Sequence, residues 1–239
     1  YTVSDEHGAT DIATVTMTVH GVNDAPVAQD DAFGAATSGE GDPDAVVANF
    51  SLLNVLTNDG AGTFASGQVF LAPGFLPPDL ALGDLDNDGD YDLFVADSCG
   101  SSAVFLNDGN GTFSPNGQTF IASANDVELG DLDGDGDLDA VVTNFGTPQI
   151  LLNDGSGNLS FNQTLTNYGV TEIVAVDVDG DEDIDIIAIG SSGLGTVFIN
   201  DGSGGFSAGT TFSSAGVYGS TRDAAAGDLD GDGDNDLLV

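Results

Sequence analysis

The chain has no tryptophan, one cysteine, one methionine and one side chain of the Lys/Arg type. A lone Cys99 excludes an internal disulfide, so a fold that works outside the cell needs another kind of staple; Cys99 itself reads as a small turn residue. With Arg222 alone against 40 acidic side chains, the formal charge is -39. That balance excludes ordinary binding to nucleic acid and attraction to anionic lipid, since both depend on basic side chains. Cations are the expected partners. No run of about 18 apolar residues is present, so no helical membrane span is expected. Neither a signal peptide nor an initiator Met stands at Tyr1, and the chain reads as a piece excised from something longer.

A hydrophobic content of 40% over 239 residues is enough to bury the core of one large all-β domain or two smaller ones. The acid is not spread evenly, as a halophile-style surface would require. Of 35 Asp residues, 20 sit in four short loops. The clearest loop is Asp131 to Asp139, DLDGDGDLD. Asp131, Asp133, Asp135 and Asp139 take positions 1, 3, 5 and 9, Asp137 at position 7 can offer its backbone carbonyl, and Gly136 at position 6 supplies the sharp turn. An oxygen-only cage of this spacing suits calcium, whereas magnesium demands a tighter octahedron and keeps its waters. The same pattern recurs at Asp84, Asp86, Asp88, Asp90 and Asp92, at Asp177, Asp179, Asp181, Asp183 and Asp185, and at Asp228, Asp230, Asp232, Asp234 and Asp236. About four calcium sites follow. The third loop departs from the rest, with Val176 before it and Glu182 at position 6 where the others have Gly, so a strained turn is expected there. No Glu stands at position 12, which is Val142 in the second copy, and the loop runs into the apolar, β-branched stretch Ala140-Val141-Val142-Thr143. The loops therefore join strands rather than helices.

Taken in order, residues 1–22 alternate apolar and polar, most clearly from Ile12 to Val19, and read as a two-strand hairpin with its turn near Glu6-His7-Gly8. Residues 23–31, rich in Asx residues and with Pro26, read as a linker. From residue 32 to 239 an internal repeat takes over, with position 1 of successive loops at Asp84, Asp131, Asp177 and Asp228. A hairpin-turn signal travels with it: NDGAGTF from Asn58, NDGNGTF from Asn107, NDGSGNL from Asn153 and NDGSGGF from Asn200. A degenerate first copy places Ala36, Ser38, Glu40, Asp42 and Asp44 at the loop positions, a weak or metal-free cage. Each unit of about 47 residues provides four short strands, which is a propeller blade; in the second intact copy they are expected at Asp126–Leu132, Leu138–Asn144, Gln149–Asn153 and Leu159–Thr164. Tyr91, Leu138 and Ile184 at position 8 are expected to anchor each loop in its blade.

The opening residues, YTVSDEHGATDIATVTMTVHGVNDAPVAQDDA, resemble the end of a cadherin-like or immunoglobulin-like repeat of bacterial surface adhesins. The coupled GDLDxDGDxDL and NDGxGxF motifs resemble the FG-GAP and VCBS repeats, which include the calcium-bearing blades of the integrin alpha-subunit propeller. That resemblance implies a β-propeller of four-stranded blades, part of a larger ring, with calcium in the hairpin between the first two strands of a blade. It implies a non-catalytic adhesion or interaction module of a large secreted or cell-surface bacterial protein, with a protein or glycan as ligand. The alternative is a carbohydrate-binding or accessory propeller of a polysaccharide-degrading enzyme. A lyase needs a base and a charge neutraliser, and here His7 and His20 lie outside the repeats and Lys is absent. Tyr91, Tyr168 and Tyr218 are the candidates for a sugar-stacking surface. The sequons at Asn49, Asn110, Asn158 and Asn162 read as turn residues.

Overall fold

The computed structural model describes residues 2–4, 10–12, 43–49, 51–74, 79–98, 100–120, 124–144, 146–167, 169–213 and 224–238. The turn near His7, the expected second strand beyond Ile12, the 23–31 linker, the degenerate loop up to Asp42, and His20, Cys99, Tyr168, Tyr218 and Arg222 lie outside them. Strands β1 (Thr2–Ser4) and β2 (Thr10–Ile12) pair antiparallel, as a hairpin requires.

The repeats then build one sheet each. The first holds β3 (Ala45–Asn49), β4 (Leu52–Asn58) and β5 (Phe64–Leu71). The second is a four-stranded meander of β6 (Asp79–Gly83), β7 (Asp92–Ala96), β8 (Ser102–Asn107) and β9 (Phe113–Phe120). The third runs through β10 (Ala124–Gly130), β11 (Asp139–Asn144), β12 (Thr147–Asn153) and β13 (Leu159–Thr164). The fourth is β14 (Val170–Val176), β15 (Asp185–Gly190), β16 (Leu194–Asn200) and β17 (Phe206–Ser213). A last pair, β18 (Ala225–Gly227) and β19 (Asp236–Leu238), repeats the first two strands. Every described contact between strands of one sheet is antiparallel, and no helix occurs among the described residues.

Order within a blade follows from burial. The second strands β7 and β15 are buried along their whole length, and all of β11 but its final Asn144 is too, because neighbouring blades cover both of their faces. Cores form between sheets rather than within them: Val46, Leu53 and Val55 of one blade pack with Leu93, Val95 and Phe105 of the next, and Leu132, Val141 and Ile150 pack with Ile186, Ala188 and Phe198. β10 stops at Gly130 rather than Leu132 because Asp131 turns out of the ladder to collect loop N–H groups. In the hairpin between the last two strands of each sheet the Asp of Asn-Asp-Gly accepts the N–H two residues on, at 2.9 to 3.0 Å for Asp59, Asp108, Asp154 and Asp201, which is an Asx turn. Of the four sequons, Asn110 and Asn158 lie in these hairpin turns. Asn49 and Asn162 lie in β3 and β13, where Asn162 donates to the Gly204 carbonyl of the following blade at 2.7 Å.

The position-8 residues behave differently from one another. A Cβ on Gly83 would come within 2.5 Å of Leu138 Cδ1, and one on Gly130 within 2.8 Å of Ile184 Cδ1. So Gly83 and Gly130, which open the first two GDLD motifs, are the floor on which the next blade sets its position-8 side chain. Where Val176 replaces that glycine, the next blade places the smaller Asn235 there, its Nδ2 donating to the Asp177 carbonyl at 2.8 Å. Tyr91 is not an anchor: it is 46% exposed, keeping its hydroxyl-bearing ring toward water.

The inner strands carry a row of acids. Asp79 accepts the Val127 N–H at 2.9 Å, and Asp126, 5% exposed, accepts the Ile173 N–H one blade further on. Burial, and then the charges of Asp79, Glu172 and Glu128, push the Asp126 carboxyl well above the ordinary carboxylate range, against the Ile173 hydrogen bond. A group whose folded pKa is raised stabilises the fold below its unfolded pKa, and that contribution is lost as pH rises through the folded value. Asp126→Asn, which keeps an acceptor for Ile173 and never ionises, is therefore expected to match the parent melting temperature near pH 4 and to exceed it by a few degrees at pH 7.5. Melts of both proteins across that range check it, because titrations common to both cancel in the difference.

Candidate metal centres

Each acidic loop is folded by its own position-1 carboxylate. Asp131 Oδ1 accepts the Gly134 N–H at 2.8 Å and Oδ2 the Gly136 N–H at 3.0 Å. Asp177 collects Gly180 and Glu182, and Asp228 Gly231 and Gly233, in the same way, while Asp84 takes the N–H of Asp88, one position later, and that of Gly89. Reaching these donors requires left-handed backbone at positions 4 and 6. Position 6 has φ of 96° at Gly89, 95° at Gly136 and 98° at Gly233. Glu182 adopts φ 75° at the same place, so the third loop keeps the turn at the strain expected for a non-glycine residue, about 1 kcal/mol. Position 4 is Gly in three loops and Asn87, φ 61°, in the first.

The buried end of the site is the position-9 carboxylate. Asp139 is 0% exposed; its Oδ2 accepts the Leu132 N–H at 2.9 Å and its Oδ1 the Asn153 N–H at 2.7 Å. Asp92 does the same with Leu85 and Asn107, and Asp185 with Val178 and Asn200. In the degenerate copy Asp44 remains buried and accepts the Asn58 N–H at 2.8 Å.

These frames converge three carboxylates per loop. Oxygens of Asp84, Asp86 and Asp92 lie within 4.8 Å of one another, and so do those of Asp131, Asp133 and Asp139, of Asp177, Asp179 and Asp185, and of Asp228, Asp230 and Asp236. Positions 1, 3 and 9 thus meet. The position-5 residues Asp88, Asp135, Asp181 and Asp232 lie outside that set, and each accepts the N–H of the position-7 residue at 3.0 to 3.1 Å. The position-7 side chains turn elsewhere: Asp137 accepts from Asn87 Nδ2 at 2.6 Å, and Asp90 and Asp183 lie against Gly109 and Gly202 in the Asn-Asp-Gly hairpins of their own blades. Asp234 belongs to the last loop, where its N–H donates to Asp232.

Such clusters repel themselves. Burial, opposed by the Asn107 and Leu85 N–H groups and reinforced by Asp86 and Asp88, pushes the Asp92 carboxyl up to about 6. The second loop repeats this, with Asp139 pushed up to about 6 by burial and by Asp133 and Asp135. Asp86 Oδ1 is buried with no protein hydrogen-bond partner. A hard divalent cation fits this donor set: it would take carboxylate oxygens from positions 1, 3 and 9, give Asp86 Oδ1 a partner, and reverse the sign of the repulsion.

The structure also gives roles to residues whose sequence signal is weaker. Asn107, Asn153 and Asn200, the first residues of Asn-Asp-Gly, are buried. Their side chains brace the loops: Asn153 Nδ2 donates to the Leu138 carbonyl at 2.9 Å and to the Leu85 carbonyl of the preceding blade at 2.8 Å. Gln68, Gln118 and Gln163 each clasp one backbone residue of the following blade from both sides; Gln163 Oε1 accepts the Phe206 N–H at 3.0 Å and its Nε2 donates to the Phe206 carbonyl at 2.8 Å. Their recurrence four or five residues past the end of the first three Asn-Asp-Gly motifs was the available clue.

The FG-GAP-like repeat model matches residues 38–95, 84–142, 131–188 and 177–239. The chain belongs to the FG-GAP-like repeat family. Three of these matches begin at position 1 of an acidic loop and extend beyond the next loop, so a family unit includes the boundary between two blades. No curated protein is significantly similar to the chain. Among solved structures, a lectin of Agrocybe aegerita that recognises non-reducing terminal N-acetylglucosamine is 27% identical, with TM-score 0.56 over 75% of this chain and 50% of the lectin chain. BBS1N in complex with ARL6DN is 16% identical, with TM-score 0.52 over 77% of this chain and 58% of that chain. The chain spans about half the length of these structures, and the second supports the fold alone. FG-GAP membership and the blade-like sheets make this part of a repeat propeller.

Proposed function

We propose that the chain is a non-catalytic interaction module whose blades are held together by calcium, in a large secreted or surface protein of the bacterial adhesin type. In this reading residues 1–22 end an immunoglobulin-like or cadherin-like repeat, 23–31 link, and 32–239 are the repeats. The observation that carries it is the recurrence of one three-carboxylate cluster between the first two strands of successive blades. Positions 1, 3 and 9 would hold the ion, with position 5 and the position-7 backbone completing the oxygen shell. Because each loop joins adjacent strands, binding free energy there is folding free energy. Extracellular modules with such ligands bind calcium at about 10⁻⁴ to 10⁻³ M, which suits seawater or extracellular fluid.

A second reading, carbohydrate binding, is favoured by one feature. A cavity of about 330 Å³ opens between the second and third sheets, with Phe161 and Phe120 on its walls and the amides of Asn144 and Gln149 at one side. An aromatic face beside hydrogen-bonding amides can take a sugar ring, and the 27% identical lectin lends support. A glycan array, read for the parent and for Phe161→Ala in millimolar calcium, separates the readings. Glycan signal lost in Phe161→Ala establishes the sugar site, whereas a blank array points to a protein ligand. Release of unsaturated sugar from acidic polysaccharides would contradict a non-catalytic module.

A further inference from the structure

The buried aspartates of three successive loops are joined to one another by hydrogen bonds. Asp92 Oδ2 accepts the Leu85 N–H at 2.9 Å, and the Leu85 carbonyl accepts Asn153 Nδ2 at 2.8 Å. Asn153 donates its own N–H to Asp139 Oδ1 at 2.7 Å. Across the next boundary, Asp139 Oδ2 accepts the Leu132 N–H at 2.9 Å, and the Leu132 carbonyl accepts Asn200 Nδ2 at 2.9 Å. Asn200 then donates its N–H to Asp185 Oδ1 at 2.8 Å. Asp92, Asp139, Asp185, Asn153 and Asn200 are all buried, so water does not compete for these bonds. The first boundary has two more ties: the Gly157 N–H to the Leu85 carbonyl at 2.7 Å, and Asn87 of the first loop to Asp137 of the second.

We propose that the loops at 84–92, 131–139 and 177–185 bind calcium as a coupled array, with Asn153 and Asn200 as positioning residues that carry occupancy from one loop to the next. This rests on the calcium reading above. A cation in the first loop pins Asp92 and so fixes the position-2 backbone that Asp92 holds. The Leu85 carbonyl then presents a fixed acceptor to Asn153, and Asn153 presents a fixed N–H to Asp139, the buried ligand of the second loop. An empty first loop, with its carboxylates pushing apart, loosens that acceptor and leaves the second loop less ordered. The coupling is reciprocal, as any linkage between binding equilibria must be. The loop at 228–236 supplies a contrast: its triad is exposed, and its tie to the third loop is of another kind, Asn235 Nδ2 to the Asp177 carbonyl at 2.8 Å, which does not pass through a buried aspartate.

Calcium titrations of the full chain, followed by the backbone amide resonances of Gly89, Gly136 and Gly233, report the first, second and fourth loops separately. Asp86→Asn weakens the first loop without touching the relay. It is expected to raise the calcium midpoint at Gly136 by about 5-fold or more, the usual lower range for coupled sites, and to leave Gly233 unmoved. In an Asn153→Ala background the same substitution is expected to move Gly136 by a clearly smaller factor, since the tie through the buried aspartates is gone while the Gly157 and Asn87 ties remain. Reciprocity gives a check that leaves Asn153 intact: Asp133→Asn raises the Gly89 midpoint by a similar factor. An unmoved Gly136 midpoint in Asp86→Asn overturns the coupling, and an equal shift with and without Asn153 overturns the role of that residue. No calcium response at any of the three glycines removes the calcium reading itself, a result distinguishable from independent binding.

Discussion

Asp139→Ala lowers the melting temperature by on the order of 10 °C in chelator, and by more in calcium, where the ion's stabilisation at that loop is lost as well. Its carboxylate is fully buried and holds two backbone donors from different parts of the chain, Leu132 in the loop and Asn153 in the following hairpin. Alanine orphans both. Each buried donor left without an acceptor costs about 1–3 kcal/mol, and a chain of this size loses about 2–4 °C per kcal/mol. Asp139→Asn behaves differently because it keeps an acceptor and removes a carboxyl that burial has pushed up to about 6. In chelator at pH 7.5 it is expected to cost much less than alanine; in calcium it loses the stabilisation that the ion supplies at that loop. Thermal melts of the two variants under both conditions check this, and a change below about 2 °C for Asp139→Ala would deny the residue its structural role.

Calcium removal has the largest expected effect. At 5 mM calcium and a dissociation constant of about 10⁻⁴ to 10⁻³ M, each site contributes about 1–2 kcal/mol. Four sites then shift the melting temperature by on the order of 10–30 °C, with magnesium giving little. The effect depends on pH in a defined sense. Asp92 and Asp139 are raised to about 6, so in chelator their contribution is present below their unfolded pKa of about 4 and is lost as pH rises through 6. With calcium the order inverts, since protons compete for the same oxygens: the calcium-induced shift is full at pH 7.5 and fades below about pH 6. Melts at pH 5 and pH 7.5, with calcium and with chelator, contain all four comparisons.

Much of this architecture is visible in the residues. The repeat of loop and Asn-Asp-Gly hairpin predicts blades of four strands, and three such sheets stand where the spacing puts them. β13 matches its expected bounds, and β11 begins one residue late. What the residues do not disclose is the relation between blades, because contacts across a boundary join positions some 40 to 70 residues apart. The Asn of Asn-Asp-Gly is a good turn former, and nothing local distinguishes that role from a buried amide reaching the loop of the preceding blade. Position 8 has the same difficulty. Leu138 and Ile184 sit on glycines of the blade before, while Tyr91 is exposed, although all three read as apolar anchors. Within the loops, spacing alone treats all odd positions as equivalent. The folded turn separates them, because positions 1 and 9 are fixed by backbone donors and position 5 is drawn to the N–H of position 7.

The central claim is that the three-carboxylate clusters are calcium sites. Crystals grown in 5 mM calcium and measured at a wavelength long enough for calcium anomalous scattering test it directly. The expected result is an anomalous peak at each acidic loop, about 2.3–2.6 Å from carboxylate oxygens of positions 1, 3 and 9. Loops that hold only water at that concentration, with the carboxylates spread apart, would contradict it.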